Sequence, residues 1–581
     1  MFSKKQLSTF ISFALLVVLV IIFGGWIAHK ADYPKPDYYF NVSKNINVFG
    51  KVYEEITNRY VEVIDPEQFM RAGIYGMLKT LDPYTVFIEK DDNAELQIMT
   101  HGKYGGVGMR ISKRDGWATV VEPPFDGTPS AKVGIREGDR ILEVDSMSTK
   151  DLSISETANR LRGDPGTEVF IKVKRVGEGE LEFRLIRAEI KVEEISYAGI
   201  IKDNIGYIRL GHFSRNVGNQ MYKAIADLKK QGMESLILDL RGNPGGLLES
   251  AVAVADNFFE KGQVIVSTKG KLSGTDQDYS AKIEPIWGTE PLVVLVDTIS
   301  ASASEIVAGA IQDMDRGVIV GSPTFGKGLV QTVIPINKET ALKITTAKYY
   351  IPSGRLIQKP GIYKNTKVLL NHPANKKSDT AKELKLTSTS SAFEYDSSKV
   401  YKTASGRIVH GNGGIVPDIR VKRIRLPTII VQMIMKSMFF NFSLEYAAEH
   451  ANIKRGFDVD QKIIDDYKKF LEGKKFEYKT VDEQELEKLE DTIKEREYQK
   501  EAKSAFNELK RIIQERKTKD FDESIDFVKS YLKGEISAKL WGTAARVEAG
   551  FNVSPQIQKA LEVLSDKDRY YAILKGDKSL N

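Results

Sequence analysis

Between Ile205 and Val320 the chain alternates short, almost wholly apolar runs with amphipathic stretches of helical length. No other feature restricts the fold as tightly. Ser235–Leu240 and Leu292–Val296 are apolar on both faces, as strands must be when helices cover both sides of a parallel sheet. Gly206–Leu210 and Val318–Val320 read in the same way. Helices are predicted over Asn219–Gln231, from the turn Arg241–Gly246 to about Phe259, and from about Ser302 to Met314. Strand–turn–helix units of this length imply an α/β core, whose ligand-binding loops lie at the C-terminal ends of the strands. We place the core at 191–425, with an exposed Lys-, Ser-, Thr- and Asn-rich insertion at about 361–402.

The flanks differ in texture. Residues 104–190 hold short alternating runs (Val107–Ile111, Ala118–Val121, Arg140–Val144, Glu168–Val173, Glu180–Leu185) punctuated by Gly, Pro and Asp, the pattern of a small β-rich domain. Residues 31–103 read as a linker (31–43) followed by two amphipathic helices within Val48–Thr80. Asp65-Pro66 separates these helices and Leu81-Asp82-Pro83 closes them. Residues 426–581 are helical and highly charged, and no heptad holds through three repeats, so a helical bundle is expected rather than a long coiled coil. At the start, Lys4 and Lys5 precede the uncharged run Phe10–Ala28, which as a helix is about 28 Å long and matches a bilayer core. The exit Gly24–Lys30 is a poor cleavage site and Trp26 suits an interface, so 1–30 reads as an uncleaved anchor in preference to a cleaved signal peptide. Either reading exports everything after Lys30.

With 581 residues the chain has room for roughly three to five domains. The absence of cysteine removes disulfides, a Cys nucleophile and thiolate metal sites from consideration. None of the six histidines pairs with another at helical metal-ligand spacing, so neither metal nor cofactor is expected. A net charge of +6 spread over this length gives no reason to expect nucleic acid as a partner.

Three segments carry chemistry-bearing residues. Tyr104-Gly105-Gly106-Val107-Gly108-Met109 precedes a strand, and its glycines suit a nest of backbone N–H groups for a terminal carboxylate. A plain hairpin turn would look the same, whereas a dinucleotide loop would need a helix and an acidic residue that are missing. Arg241–Gly246 follows a buried strand and can aim free N–H groups at an anion, or be a tight turn only. Ser300-Ala301-Ser302-Ala303-Ser304-Glu305-Ile306 stands between a strand and a helix start, where a serine is ordinarily an N-cap. Lys327 lies between glycines in Pro323–Gly328, where desolvation could strip its proton and leave a general base for a serine hydroxyl. A surface lysine is the alternative.

Taken together in this order, Ser300–Ile306, Phe325–Gly328 and a Gln one helical turn on (Gln331) resemble the carboxyl-terminal processing, or tail-specific, serine proteases. Gly73–Pro83 and Ser353-Gly354-Arg355 extend the resemblance across roughly Val48–Val421. It implies an α/β fold: a crotonase- and ClpP-like protease core with an inserted β-rich PDZ domain at 104–190, N-terminal helices and a C-terminal helical bundle. By the same resemblance Ser302 is the nucleophile, Lys327 its base 25 residues on, and Gln331 the group that orients the lysine. The oxyanion hole would combine the N–H of Ala303 with a glycine N–H of Gly245-Gly246, and Gly105–Met109 would be the carboxylate loop. Ser300, Ser304 and Asp313 would be structural, Ser304 as a helix cap. The long 361–402 insertion and the charged C-terminal region depart from the family's pattern.

The implied activity is ATP-independent endoproteolysis of proteins with exposed apolar C-termini. It would take place on the exported side of the inner membrane, in a homo-oligomer or with an adaptor. A membrane-anchored, catalytically silent PDZ scaffold is the competing class, and intact Ser302, Lys327 and Gln331 weigh against it. A crotonase-type acyl enzyme is a third reading, since glycine oxyanion turns also belong to that fold.

Overall fold

The computed structural model describes residues 36–89, 103–191, 193–337, 340–360, 399–422, 424–496 and 499–576, in two compact units that divide between Thr80 and Leu81. The apolar run Phe10–Ala28 and nearly all of the 361–402 insertion lie outside the described residues. Among the described residues no helix is long and apolar enough to cross a membrane.

The first unit is a helix pair, α1 (Pro36–Arg59) and α2 (Pro66–Leu78). α1 begins inside the segment read as a linker, because a proline at the first helical position costs no hydrogen bond. Asp65 ends the break as foreseen, accepting from the N–H groups of Glu67 (2.9 Å) and Gln68 (3.2 Å).

In the second unit, β1 (Val86–Ile88) pairs with a strand some 250 residues away in sequence, Val86 standing opposite Lys343. Residues 81–89 therefore belong to the second unit, and residues 90–102 lie outside the described residues. The β-rich domain comprises β2 (Lys103–Gly106), β3 (Ile111–Arg114), β4 (Trp117–Val120), β5 (Arg140–Val144), β6 (Met147–Ser148), β7 (Glu168–Arg175), β8 (Gly179–Ile186) and β9 (Ala188–Lys191). Two helices, α3 (Pro129–Lys132) and α4 (Ile154–Leu161), complete it. β3-β4-β5-β7-β8 form one sheet with β6 on β5, and β2 pairs with β9. The strand expected over Val107–Ile111 starts only at Ile111, since Gly108 at φ +80° breaks the ladder.

The core contains β10 (Ile195–Lys202), β11 (Ile205–Leu210), α5 (Val217–Lys230), β12 (Ser235–Asp239), α6 (Leu248–Ala255), β13 (Val264–Gly270), β14 (Gln277–Ser280), β15 (Leu292–Val296), α7 (Ala303–Asp313) and β16 (Val318–Gly321). It continues with β17 (Leu329–Pro335), β18 (Ala341–Tyr350), the hairpin β19 (Val400–Lys402) and β20 (Ile408–His410), and β21 (Ile419–Arg420). Strand order is β10-β11-β12-β15-β16-β21, parallel except for β10. A second, antiparallel sheet, β1-β18-β13-β14 with β17 also on β18, lies outside the sequence reading. Its strands carry Lys, Thr and Tyr, not the continuous apolar runs that revealed the first sheet.

Met221, Ile225, Val254, Ile306 and Ile311 of the core helices bury one face of the parallel sheet. The other face is covered by C-terminal helices: Ile557, Ala560, Val563, Leu564 and Ile573 pack on Tyr207, Ile237, Val293, Leu295 and Val320. The Tyr570 hydroxyl accepts from the Leu292 N–H at 3.0 Å. The expected bundle at 426–581 is thus two bodies. Between Thr428 and Trp541 most helices surround a core of Phe439, Phe442, Tyr467 and Leu532, with a small separate cluster of Leu486, Ile493 and Phe506, while Thr543–Leu574 is a layer of the parallel-sheet fold.

Candidate active site

The strand-end loops of β12 and β15 meet. At the first, Arg241 closes a bidentate ion pair with buried Asp239 and spends its remaining nitrogen on Ser554 (2.8 Å) and Gln556 (2.9 Å). The turn behind it is held by Gly242 N–H to Asp297 (3.1 Å) and by Gly245 N–H to the side chain of Asn243 (2.9 Å). At the second loop, Ser300 Oγ donates to the Leu240 carbonyl (2.8 Å) and Ser304 Oγ to the Asn243 carbonyl (2.9 Å). Both flanking serines therefore stitch the loops together, and Ser304 is not a helix cap.

Ser302, between them, has φ 55° and ψ −113°. A non-glycine residue stays in that region only where its surroundings impose it, as they do at many reactive turns. α7 starts at the next residue, so the Ala303 N–H is a helix-terminal donor, and it has no acceptor among the described residues. Gly246 N–H has none either, whereas the Gly245 N–H is taken by Asn243. Of the two glycines named from sequence, Gly246 keeps the free donor and Gly245 supplies the close approach. A methyl on Gly245, which has φ +101°, would lie 2.6 Å from the Ala301 carbonyl, 2.8 Å from Ser302 Cβ and 2.9 Å from the Ala303 nitrogen.

One turn into α7 stands Glu305, fully buried and assigned no role from sequence. Its carboxylate accepts from Thr324 Oγ1 (2.5 Å) and from the N–H groups of Gly326 (2.7 Å), Lys327 (2.9 Å) and Ser302 (2.9 Å). Burial pushes its pKa up to about 7, against the pull of those four donors. The Ser-x-x-Glu spacing of a capping box is the signal that could have found it. Tyr349 of β18 adds a second tie, donating from one buried hydroxyl to the carbonyls of Ser302 (3.1 Å) and Lys327.

Lys327 is thereby fixed beside the Ser302 turn. Burial lowers its pKa to about 8, helped by Lys343 and opposed by Glu305 and Asp82. Its Nζ sits 4.7 Å from the centre of the Tyr84 ring, and no hydrogen bond joins it to Ser302 Oγ among the described residues. Gln331 departs further from expectation. It lies on strand β17, not a helical turn, and its amide donates to Thr345 Oγ1 at 3.3 Å rather than to Lys327. Asp313, at the far end of α7, pairs with buried Arg355 (2.7 Å) and accepts from the Ser353 N–H (2.9 Å), a structural role.

In the β-rich domain the glycine segment divides. Gly105 and Gly106 belong to the β2–β9 ladder. Beyond them the carbonyls of Val107 and Gly108 accept from Ser130 (2.9 Å) and Phe125 (3.0 Å), while the N–H groups of Val107, Gly108 and Met109 meet no acceptor among the described residues. Turned-away carbonyls and convergent free N–H groups are the makings of an anion nest. Gly245→Ala should abolish peptidase activity at least a hundredfold with the fold retained, because the methyl displaces the Ser302 turn while the rest of the core is untouched; kcat/KM and near-UV circular dichroism together check this.

Comparison with known proteins places these features in one family. The profile of peptidase family S41 matches residues 204–368, that of the PDZ domain 120–175, that of the probable PDZ-protease C-terminal helical domain 429–564, and that of the activating protease CtpB N-terminal domain 29–92. The carboxy-terminal-processing protease of Bartonella bacilliformis is 37% identical over 327 residues, 55% of this chain and 74% of the relative. The carboxy-terminal processing proteases CtpA and CtpB of Bacillus subtilis are each 33% identical, over 55% of this chain and 68% and 67% of their own lengths. With this identity over two thirds or more of each relative, the chain belongs to peptidase family S41, the carboxy-terminal-processing serine proteases.

Proposed function

We propose that the chain is an ATP-independent endopeptidase in which Ser302 attacks and Lys327 carries the protons. The observation that supports this reading is the desolvated Lys327 amine, carried on a backbone that Glu305 and Tyr349 hold to the Ser302 turn. Neutral Lys327 takes the Oγ proton as Ser302 adds to the scissile carbonyl, and the N–H groups of Ala303 and Gly246 receive the oxyanion. The ammonium then protonates the leaving amine, and the C–N bond breaks to give an acyl-serine. Lys327, neutral again, takes a proton from water as it adds to the acyl carbon, and returns that proton to Ser302 Oγ as the acyl C–Oγ bond breaks and the carboxylic product leaves. This scheme calls on neither nucleotide nor metal. Catalytic hydrogen bonds of this kind tighten when substrate binds, which accommodates the missing Ser302–Lys327 bond. Gln331 donates to Thr345 from its amide nitrogen, which leaves Oε1 as an acceptor for the Lys327 amine, so its part is orientation.

The PDZ domain selects the substrate in this reading. The Val107–Met109 nest takes the α-carboxylate and β3 accepts the tail as an added strand, with an apolar pocket for the last side chain. The Phe10–Ala28 segment anchors the enzyme on the exported face of the inner membrane, and an oligomeric partner or adaptor would act there.

Ser302→Ala and Lys327→Ala should each lower kcat by on the order of 10⁴-fold, and Lys327→Arg equally, since a guanidinium does not give up its proton. In the unaltered chain kcat/KM should rise with pH through about 8, because the neutral amine is the active form and is populated above that pKa. Turnover by the alanine variants, or a limb set at the imidazole pKa, would sink the Ser–Lys reading. For the PDZ domain, one unfolded protein ending in Ala should be degraded about tenfold faster below saturation than the same protein with a C-terminal amide. Equal rates would reduce that domain to a spacer.

A further inference from the structure

Lys327 is faced by more charge than catalysis by a neutral amine would suggest. Asp82 approaches from the turn before β1, Glu305 from α7 and Lys343 from β18, while the Tyr84 ring lies against Nζ. Lys359 is close to the same loop, its aliphatic chain filling the space a side chain at Gly326 would need. Two carboxylates and an aromatic face all favour the ammonium form. Burial alone opposes them, unless a further cation stands near.

Strand β18 provides it. Lys343 is opposite Val86 of β1 on one side and Val333 of β17 on the other, and Thr345 is opposite Gln331. Residues two apart on a strand share a face, so Lys343 projects on the face that carries Gln331. The sheet holds it there: the Thr345 N–H donates to Thr85 Oγ1 at 3.2 Å, tying β18 to the Tyr84 turn. Lys343 is half-buried and has no carboxylate within ion-pair distance among the described residues. Asp82, the nearest carboxylate in sequence to that turn, is occupied by the N–H groups of Tyr84 (2.9 Å) and Thr85 (3.1 Å) and by Thr85 Oγ1 (3.0 Å).

We propose that Lys343 is a positioning residue for this protease: its ammonium, presented on the sheet face beside Gln331, keeps the Lys327 amine deprotonated and able to accept the Ser302 proton. A like charge at short range in a partly dried site disfavours a second protonation, and here it offsets the two carboxylates. The inference rests on the reading that Lys327 is the base.

The test is the pH profile of kcat/KM, from about pH 6 to about pH 10, for full-length Lys343→Met, Lys343→Gln and Lys343→Arg on one unfolded protein substrate. Met and Gln should move the acid limb to higher pH by about one unit, so that activity near neutrality falls about tenfold while the alkaline plateau is kept. Arg, with the same charge, should keep the limb in place. A second readout does not use activity: the pH midpoint for reductive methylation of Lys327, followed by mass spectrometry, should rise with the limb. An unmoved limb with a raised KM would make Lys343 a substrate contact, and an equal loss at every pH, or Arg behaving as Met, would make it structural; each overturns the proposal. Retained turnover by Lys327→Ala would instead remove the base itself, and is read separately.

Discussion

The site is organised by one buried carboxylate. Glu305 gathers the N–H of Ser302, the hydroxyl of Thr324 and the N–H groups of Gly326 and Lys327, four donors that come from two loops. Burying a carboxylate is costly unless its lone pairs are filled. The arrangement is therefore cooperative: the loops need the acceptor, and the acceptor needs the loops. The strained backbone of Ser302 persists because its N–H is held here while its carbonyl is held by Tyr349.

Around this point the two sheets have different tasks. The parallel sheet, buried on both faces, sets the loops of β12 and β15 side by side, where Ser300, Ser304 and Asn243 lock them. The antiparallel sheet supplies Tyr349, Thr345, Lys343 and Gln331 from one strand pair and so shapes the environment of Lys327. Closure of the far face by Thr543–Leu574 makes the C-terminal region part of the enzyme rather than an appendage.

The PDZ domain is held through charge to the C-terminal helices, chiefly those between Thr428 and Trp541. Lys539 is buried against Glu137, with Glu535 at 3.5 Å and the Phe440 ring at 3.8 Å, and Arg546 completes the group at 3.4 Å from Glu137. Burial raises the Glu137 pKa and lowers that of Lys539, because the contact takes both groups out of water. Nearby, Gly138 leaves room for Leu444, where any side chain would collide. Such a contact fixes geometry more than it adds stability, because paired charges recover little beyond what their desolvation costs.

What could be read from sequence was whatever depends on local pattern. Continuous apolar runs gave β11, β12, β15 and β16, and the Ser300–Ile306 and Phe325–Gly328 texts pointed to the loops of the candidate site, because glycine, proline and small residues leave a mark at fixed spacing. The second sheet left no such mark, since its strands mix Lys, Thr and Tyr and owe their stability to partners as distant as Val86 and Lys343. Gln331 was given the geometry of a helix and lies in a strand. Tertiary structure alone decided which glycine keeps a free N–H, that Glu305 joins the two loops, and which charges surround Lys327. Those outcomes depend on hydrogen-bond partners and on burial, which no single stretch of sequence contains.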